Sequence, residues 1–197
     1  MHAHILGFPR IGPNRELKRA LETHWKGDLS EQDLLAVASE LEGQNWKTQA
    51  DCGLDMVAAG DFSLYDHILD TIAMTGAVPA RFSPSDGEVN LATCFRMARG
   101  DADADIAPMT MRKWFNTNYH YIVPEFEKEM TFRLASRRLL DAVRRAQEAG
   151  HSPKPVLVGP VTFIALGRAA DGVDKWDCLD DILTVYEQVM AELAETA

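Results

Sequence analysis

Six stretches of the chain carry apolar residues at helical spacing, and short unbroken apolar runs lie between them. Leu17, Ala20, Leu21 and His24 fall at i, i+3, i+4 and i+7, which predicts a first helix starting near Asn14, with Asn14 as its cap and Pro13 just outside. Ser30 followed by Asp33 resembles a capping box and opens a second helix with Leu34, Val37, Ala38 and Leu41 on its buried face, running to Gly53. Tyr65 to Thr75, stopped by Gly76, and Asn90 to Arg99, closed by Gly100, read as two more. Ala135, Leu139, Ala142, Val143 and Ala146 form a stripe ending at Gly150, and a last helix buries Leu179, Ile182, Leu183, Tyr186, Met190 and Leu193.

The runs between them predict strands at His4 to Phe8, Leu54 to Ala59, Tyr119 to Val123 and Pro155 to Val158. Val78 to Val89 reads as a long loop and Asp101 to Pro108 as irregular chain. Strand and helix alternate four times, which predicts an α/β fold of parallel strands joined by right-handed helical crossovers. An open doubly wound sheet and part of a (β/α)8 barrel both fit. Neither GxGxxG nor GxxxxGK[ST] is present, which counts against the common nucleotide-binding sheets. Four parallel (β/α) units would make about half of a TIM-type (β/α)8 barrel, with its first and fourth strands as open edges.

Composition narrows the function classes. With 197 residues and 46% hydrophobic content the chain has ample material for a core. A net charge of −10 argues against general binding of nucleic acid or anionic membrane, so neither is expected as a partner. No apolar run approaches the ~20 residues of a membrane helix, and the N-terminus lacks the pattern of a signal peptide. Cys52, Cys94 and Cys178 are odd in number, widely spaced and outside any CxxC pattern. A reduced, cytoplasmic protein without a disulfide framework or a structural zinc site is expected.

Against that acidic background one basic turn stands out. Arg15, Lys18 and Arg19 cluster at the start of the first helix, where cations oppose the macrodipole. With free backbone N–H groups they would make a local anion site. Other candidates are weaker. His2 and His4 share a strand face but are too few for zinc. Asp101, Asp103 and Asp105 mimic a calcium loop, but Ile106 and Arg112 stand where glycine and glutamate are needed. Asp61, Asp66 and His67 follow the second strand, where capping and loop hydrogen bonding compete with a place at a ligand rim. Trp114, Phe115, Tyr119 and Tyr121, interleaved with Lys113 and His120, read as core and rim packing.

The segments GFPRIGPNRELKRALE, GDFSLYDH, RKWFNTNYHYIVPEF and KPVLVGPVTF, in this order, resemble the cobalamin-independent methionine synthases. That family moves a methyl group from 5-methyltetrahydropteroyltri-L-glutamate to homocysteine, giving methionine. Its members are built from two (β/α)8 barrels. The resemblance implies that residues 1–197 are a single partial domain, the first four units of the N-terminal barrel, with the C-terminal catalytic barrel absent. It implies zinc in the full-length enzyme, held by ligands outside this chain, with none bound here and homocysteine engaged by the missing barrel. It also implies that Arg15, Glu16, Leu17 and Lys18 of RELK, together with Lys113, contact the folate triglutamate. A string of carboxylates suits guanidinium and ammonium groups. No catalytic residue maps onto the chain, which alone should not turn over. A stand-alone, non-catalytic (β/α) binding module related to that enzyme is the rival expectation, and two half-barrels pairing into one is a third.

Overall fold

The computed structural model describes residues 2–82 and 89–195. Its elements in chain order are α1 (Glu16–Trp25), α2 (Glu31–Asp51), β1 (Val57–Ala59), α3 (His67–Thr75), α4 (Leu91–Arg99), β2 (Met111–Lys113), β3 (His120–Ile122), β4 (Glu125–Phe126), α5 (Arg138–Glu148), β5 (Pro153–Pro155), α6 (Pro160–Leu166), β6 (Arg168–Ala169) and α7 (Leu179–Glu195). The chain forms two compact units, residues 1–64 with 141–156 and residues 65–140 with 157–197. The fold is α/β, with three two-stranded sheets among the described residues: β1 with β5 and β4 with β6 parallel, β2 with β3 antiparallel.

In the first unit, α1 and α2 bury Leu17, Ala20, Leu21, Leu34, Ala38 and Leu41, close to the predicted stripes. Ser30 caps α2 by accepting from the Asp33 N–H at 3.1 Å. The α2 residues Trp46 and Gln49 reach β1. Trp46 Nε1 donates to the Ala58 carbonyl at 2.9 Å, and Gln49 Oε1 accepts from the Ala58 N–H at 2.8 Å. Ala58 faces away from β5, so two side chains do for it what a further strand would. On the other edge Val57 N donates to Ser152 O at 2.9 Å and Val156 N to Ala59 O at 2.8 Å. Pro153 and Pro155 alternate with the pairing residues, so their missing N–H groups fall on the side away from β1. The ladder thus starts two residues ahead of the predicted Pro155 to Val158 and overlaps it at Pro155 and Val156, while Leu157 and Val158 are half-buried beyond it.

His4 to Phe8 forms no strand. Backbone bonds tie it down only near its ends, where Ala3 O accepts from Asp55 N at 2.9 Å and Phe8 N donates to Asp61 Oδ2 at 2.7 Å. Apolar character is not enough where no neighbouring strand supplies a ladder. Asn14 does not cap α1 either. Arg15 occupies the cap position with φ 63°, and its side chain makes no capping bond.

In the second unit, the predicted third strand appears as β3, but it pairs antiparallel with Met111–Lys113 in a hairpin rather than in a parallel ladder. Asn116, Thr117 and Asn118 supply the turn, with Trp114 N donating to Tyr119 O at 2.7 Å. Parallel pairing resumes just beyond, between β4 and β6. Buried Glu125 on β4 accepts from both nitrogens of Arg81 at 2.7 and 3.1 Å and from Arg168 on β6 at 2.9 Å. Burial raises the Glu125 pKa, yet the two guanidiniums outweigh it and hold the carboxyl below its ordinary value. Helix α6 escaped the sequence reading because seven residues are too short for a periodic stripe, although Gly159 at the cap and Pro160 at the first position mark its start. On α7 the buried face is Ile182, Val185, Tyr186, Val189 and Leu193, while Leu183 and Met190, expected inside, are exposed. The predicted loop at 78–89 includes residues 83–88, which lie outside the described residues.

Asp66 ties α3 to β3. Its Oδ1 accepts from Ile68 N at 2.8 Å and Leu69 N at 3.0 Å, and its Oδ2 from Ile122 N at 3.1 Å. Burial pushes its pKa up to about 7 against the pull of those donors. Asp66→Ala should therefore destabilise the fold by about 2–4 kcal/mol in urea unfolding, since three N–H groups lose their acceptor. A raised folded-state pKa means that this group's contribution is full below the unfolded value near 3.8 and is lost as pH rises through about 7. The stability difference between wild type and Asp66→Asn should shrink over that window.

Candidate functional site

In the first unit the candidate residues sit on the turn that leads into α1. Gly12 has φ 84°, a conformation open to glycine, and a Cβ there would collide with Glu16 Oε2 and come within 3.0 Å of Leu41 Cδ2. Arg15 N donates to Gly12 O at 3.1 Å and Leu17 N to Ile11 O at 3.2 Å, so the turn consumes two of the N–H groups that a free helix end would offer an anion. The Glu16 carboxylate folds back over the turn and accepts from Asn14 N and Asn14 Nδ2, each at 3.0 Å. Hydrogen bonding to its own backbone N–H, then to the Asn14 side chain, holds its pKa below the ordinary carboxylate value. Leu17 is fully buried. Lys18 is half-exposed and lies 3.4 Å from Glu22 one helical turn on. Arg15 is exposed, and its side chain has no partner among the described residues.

The start of this segment is fixed by Asp61. Besides accepting from Phe8 N, its Oδ2 lies 3.2 Å from where a Cβ on Gly7 would stand. Asp61 is partly buried, and burial raises its pKa. Pro9 O accepts from Asn45 Nδ2 at 3.3 Å. The basic turn is thus anchored to the loop after β1 and to α2, within one unit.

Lys113 belongs to the second unit, at the end of β2, exposed and without a described partner. Beside it the hairpin carries an aromatic ledge. Trp114 meets His67 edge-on at 4.7 Å between ring centroids, Phe115 at 5.2 Å and Tyr121 at 5.9 Å. Phe115 is 79% exposed. His67 stacks on Tyr119 at 5.3 Å, and its Nδ1 lies 2.9 Å from the Tyr119 hydroxyl. The same oxygen accepts from the His67 backbone N–H at 3.4 Å, so Tyr119 holds His67 by both ring and backbone. Arg15, Glu16, Leu17 and Lys18 belong to the first unit, and Lys113 and the ledge to the second.

The remaining candidates resolve into local bonding. Asp66 is a cap and Asp61 a loop anchor, while His67 is held by Tyr119. Lys154 Nζ donates to His4 Nδ1 at 2.9 Å. Asp101 accepts from Arg96 Nε at 2.9 Å and from Ala104 N at 3.2 Å, a turn stabilised by its own side chain. Among the described residues no three His, Cys, Asp or Glu side chains are grouped to hold a metal ion, so the donor set does not fit zinc. No described helix is long and apolar enough to cross a membrane.

Residues 2–197 match the family described as cobalamin-independent synthase, N-terminal domain. The chain belongs to the cobalamin-independent synthase family. It is 49% identical over 195 residues to the 5-methyltetrahydropteroyltriglutamate–homocysteine methyltransferase of Serratia proteamaculans (strain 568), covering 98% of this chain and 26% of that relative. With the enzyme of the same name from Salinibacter ruber (strain DSM 13855 / M31) it is 50% identical over 199 residues, covering 96% of this chain and 26% of the relative. The chain therefore spans about a quarter of the length of these cobalamin-independent synthase relatives.

For this cobalamin-independent synthase chain, sequence reasoning found the basic residues but missed what shapes them. The glycine–proline–asparagine run before α1 is a turn signal that could have pointed to Gly12. The bond between His67 and Tyr119 spans 52 positions and leaves no local trace. Tyr119→Phe should lower stability by about 1–2 kcal/mol, as expected for losing a part-buried hydroxyl that bonds both the ring and the backbone N–H of His67, measured by urea unfolding.

Proposed function

We propose that the chain is the opening part of the N-terminal barrel of a cobalamin-independent methionine synthase and helps to hold the folate substrate. On this reading both units supply the four β/α units of one partial domain, about half of a TIM-type barrel. Arg15, Lys18 and Lys113 receive the γ-linked carboxylates of 5-methyltetrahydropteroyltri-L-glutamate, with Glu16 and Leu17 part of the same segment. The observation that carries the reading is the near-complete, 49% identical match to enzymes named for that folate and for homocysteine. One feature of the chain supports it. In a protein of net charge −10, Arg15 and Lys113 are exposed cations with no described acidic partner. A carboxylate entering there would gain charge-assisted hydrogen bonds without first breaking an ion pair.

Methyl transfer to homocysteine, and the zinc ion that would lower the pKa of its thiol, belong on this reading to the segment of the relatives that this chain does not span. The composition fits a reduced, cytoplasmic setting. This chain's share of the work is to orient the folate by its tail, so that binding energy remote from the reacting methyl group positions it.

Titrating pteroyltriglutamate and pteroylmonoglutamate into the 197-residue chain tests this directly. Arg15→Ala with Lys18→Ala should weaken the triglutamate about tenfold and the monoglutamate less than about twofold, because the monoglutamate lacks the distal carboxylates. Equal loss for both ligands removes the tail assignment. In a second assay, the chain with zinc, homocysteine and the methylated triglutamate should form no methionine above the buffer blank, and turnover there would contradict the division of labour.

A further inference from the structure

Within RELK, Glu16 is chemically out of place: a carboxylate in a segment offered to a polyanionic tail. Its bonds give it a different task. Both oxygens are engaged by Asn14, through N and Nδ2 at 3.0 Å each. The carboxylate lies in a notch that exists because residue 12 has no Cβ, with Leu41 closing the other side. Gly12 O in turn accepts from Arg15 N at 3.1 Å. Gly12, Asn14, Arg15 and Glu16 thus form one closed turn, in which Gly12 at φ 84° and Arg15 at φ 63° both take left-handed backbone. That conformation is unfavourable for arginine and persists only where its surroundings impose it. The Arg15 side chain does nothing to hold it, since it makes no capping bond.

We propose that Glu16 is a positioning residue and not a ligand contact: it locks the Gly12–Arg15 turn, presents Arg15 beside Lys18, and turns its own negative charge onto Asn14 and away from the bound anion. This rests on the tail-binding reading above and deepens it. Gly12 becomes part of the same device, because any side chain there would evict the carboxylate. Charge alone would make Glu16 an obstacle to a triglutamate, and removing it would then tighten binding. The lock predicts the opposite sign.

The test uses the 197-residue chain with Glu16→Ala, Glu16→Gln, Gly12→Ala and the Gly12→Ala/Glu16→Ala double variant. Without ligand, amide exchange at Asn14 should rise about threefold or more in Glu16→Ala and in Gly12→Ala, while Leu21 in the body of α1 stays unchanged. With pteroyltriglutamate, each single variant should bind about five- to tenfold more weakly, and the double variant less weakly than the product of the two losses, because the Glu16 contact is shared while the backbone strain at residue 12 belongs to Gly12→Ala alone. Pteroylmonoglutamate binding should stay level. Glu16→Gln, which keeps an acceptor and loses the charge, should recover part of the affinity. Unchanged exchange at Asn14, or a triglutamate affinity in Glu16→Ala that holds or rises, overturns the proposal while leaving the tail site intact. A wild-type chain that does not distinguish triglutamate from monoglutamate overturns the tail reading and this proposal with it.

Discussion

Every buried backbone N–H and C=O must find a partner, and strands of two or three residues in two-stranded sheets cannot supply enough of them to one another. The structure depends on how that shortfall is met. On β1, Trp46 and Gln49 take the two groups of Ala58 that β5 leaves open. On β3, Asp66 takes the Ile122 N–H, and on β6 the Arg168 N–H reaches back to Pro124 O at 2.8 Å. Side chains that look ordinary in the sequence are thereby committed to strand edges. Substituting any of them leaves an unsatisfied group inside the fold, a costlier event than losing one exposed contact.

The same principle governs the loops that carry the candidate site. A turn with two left-handed residues and a basic side chain is not stable by its own propensity. Asp61 holds its beginning, Asn45 touches Pro9, and Glu16 closes its end. Carboxylates therefore surround a segment whose outward face is cationic. Asp61 and Glu16 are engaged with backbone and amide donors and Glu22 lies beside Lys18, while the Arg15 guanidinium has no described counter-ion.

Much of the helical framework was legible. Ser30 and Asp33 mark a helix start because the capping bond is local, and Gly76 and Gly100 mark ends because positive φ after a helix favours glycine. The strands were legible as apolar runs but not in their pairing. Tyr119 to Val123 reads the same whether its neighbour is parallel or antiparallel, and only the Asn-Thr-Asn turn hinted at a hairpin. Leu183 and Met190 continue an apolar stripe, yet Val185 and Val189 take the buried side, because periodicity fixes spacing and leaves the rotation of a helix against its neighbours open. Among the candidate residues, Arg15 and Lys18 stand out in the sequence by charge and Lys113 by family likeness alone, whereas Gly12 and Tyr119 carry no such signal.

Taken alone, the amino-acid order determined what local chemistry can encode: most helix limits, the cationic turn in an acidic chain, and membership of the cobalamin-independent synthase family, whose description matches residues 2–197. Tertiary structure decided which backbone groups meet which side chains. It placed the Ala58 amide under Gln49 and its carbonyl under Trp46, and joined His67 to Tyr119. These partners lie from nine to 52 positions apart, and their meeting depends on how loops and helices come to rest, which no short window of sequence contains.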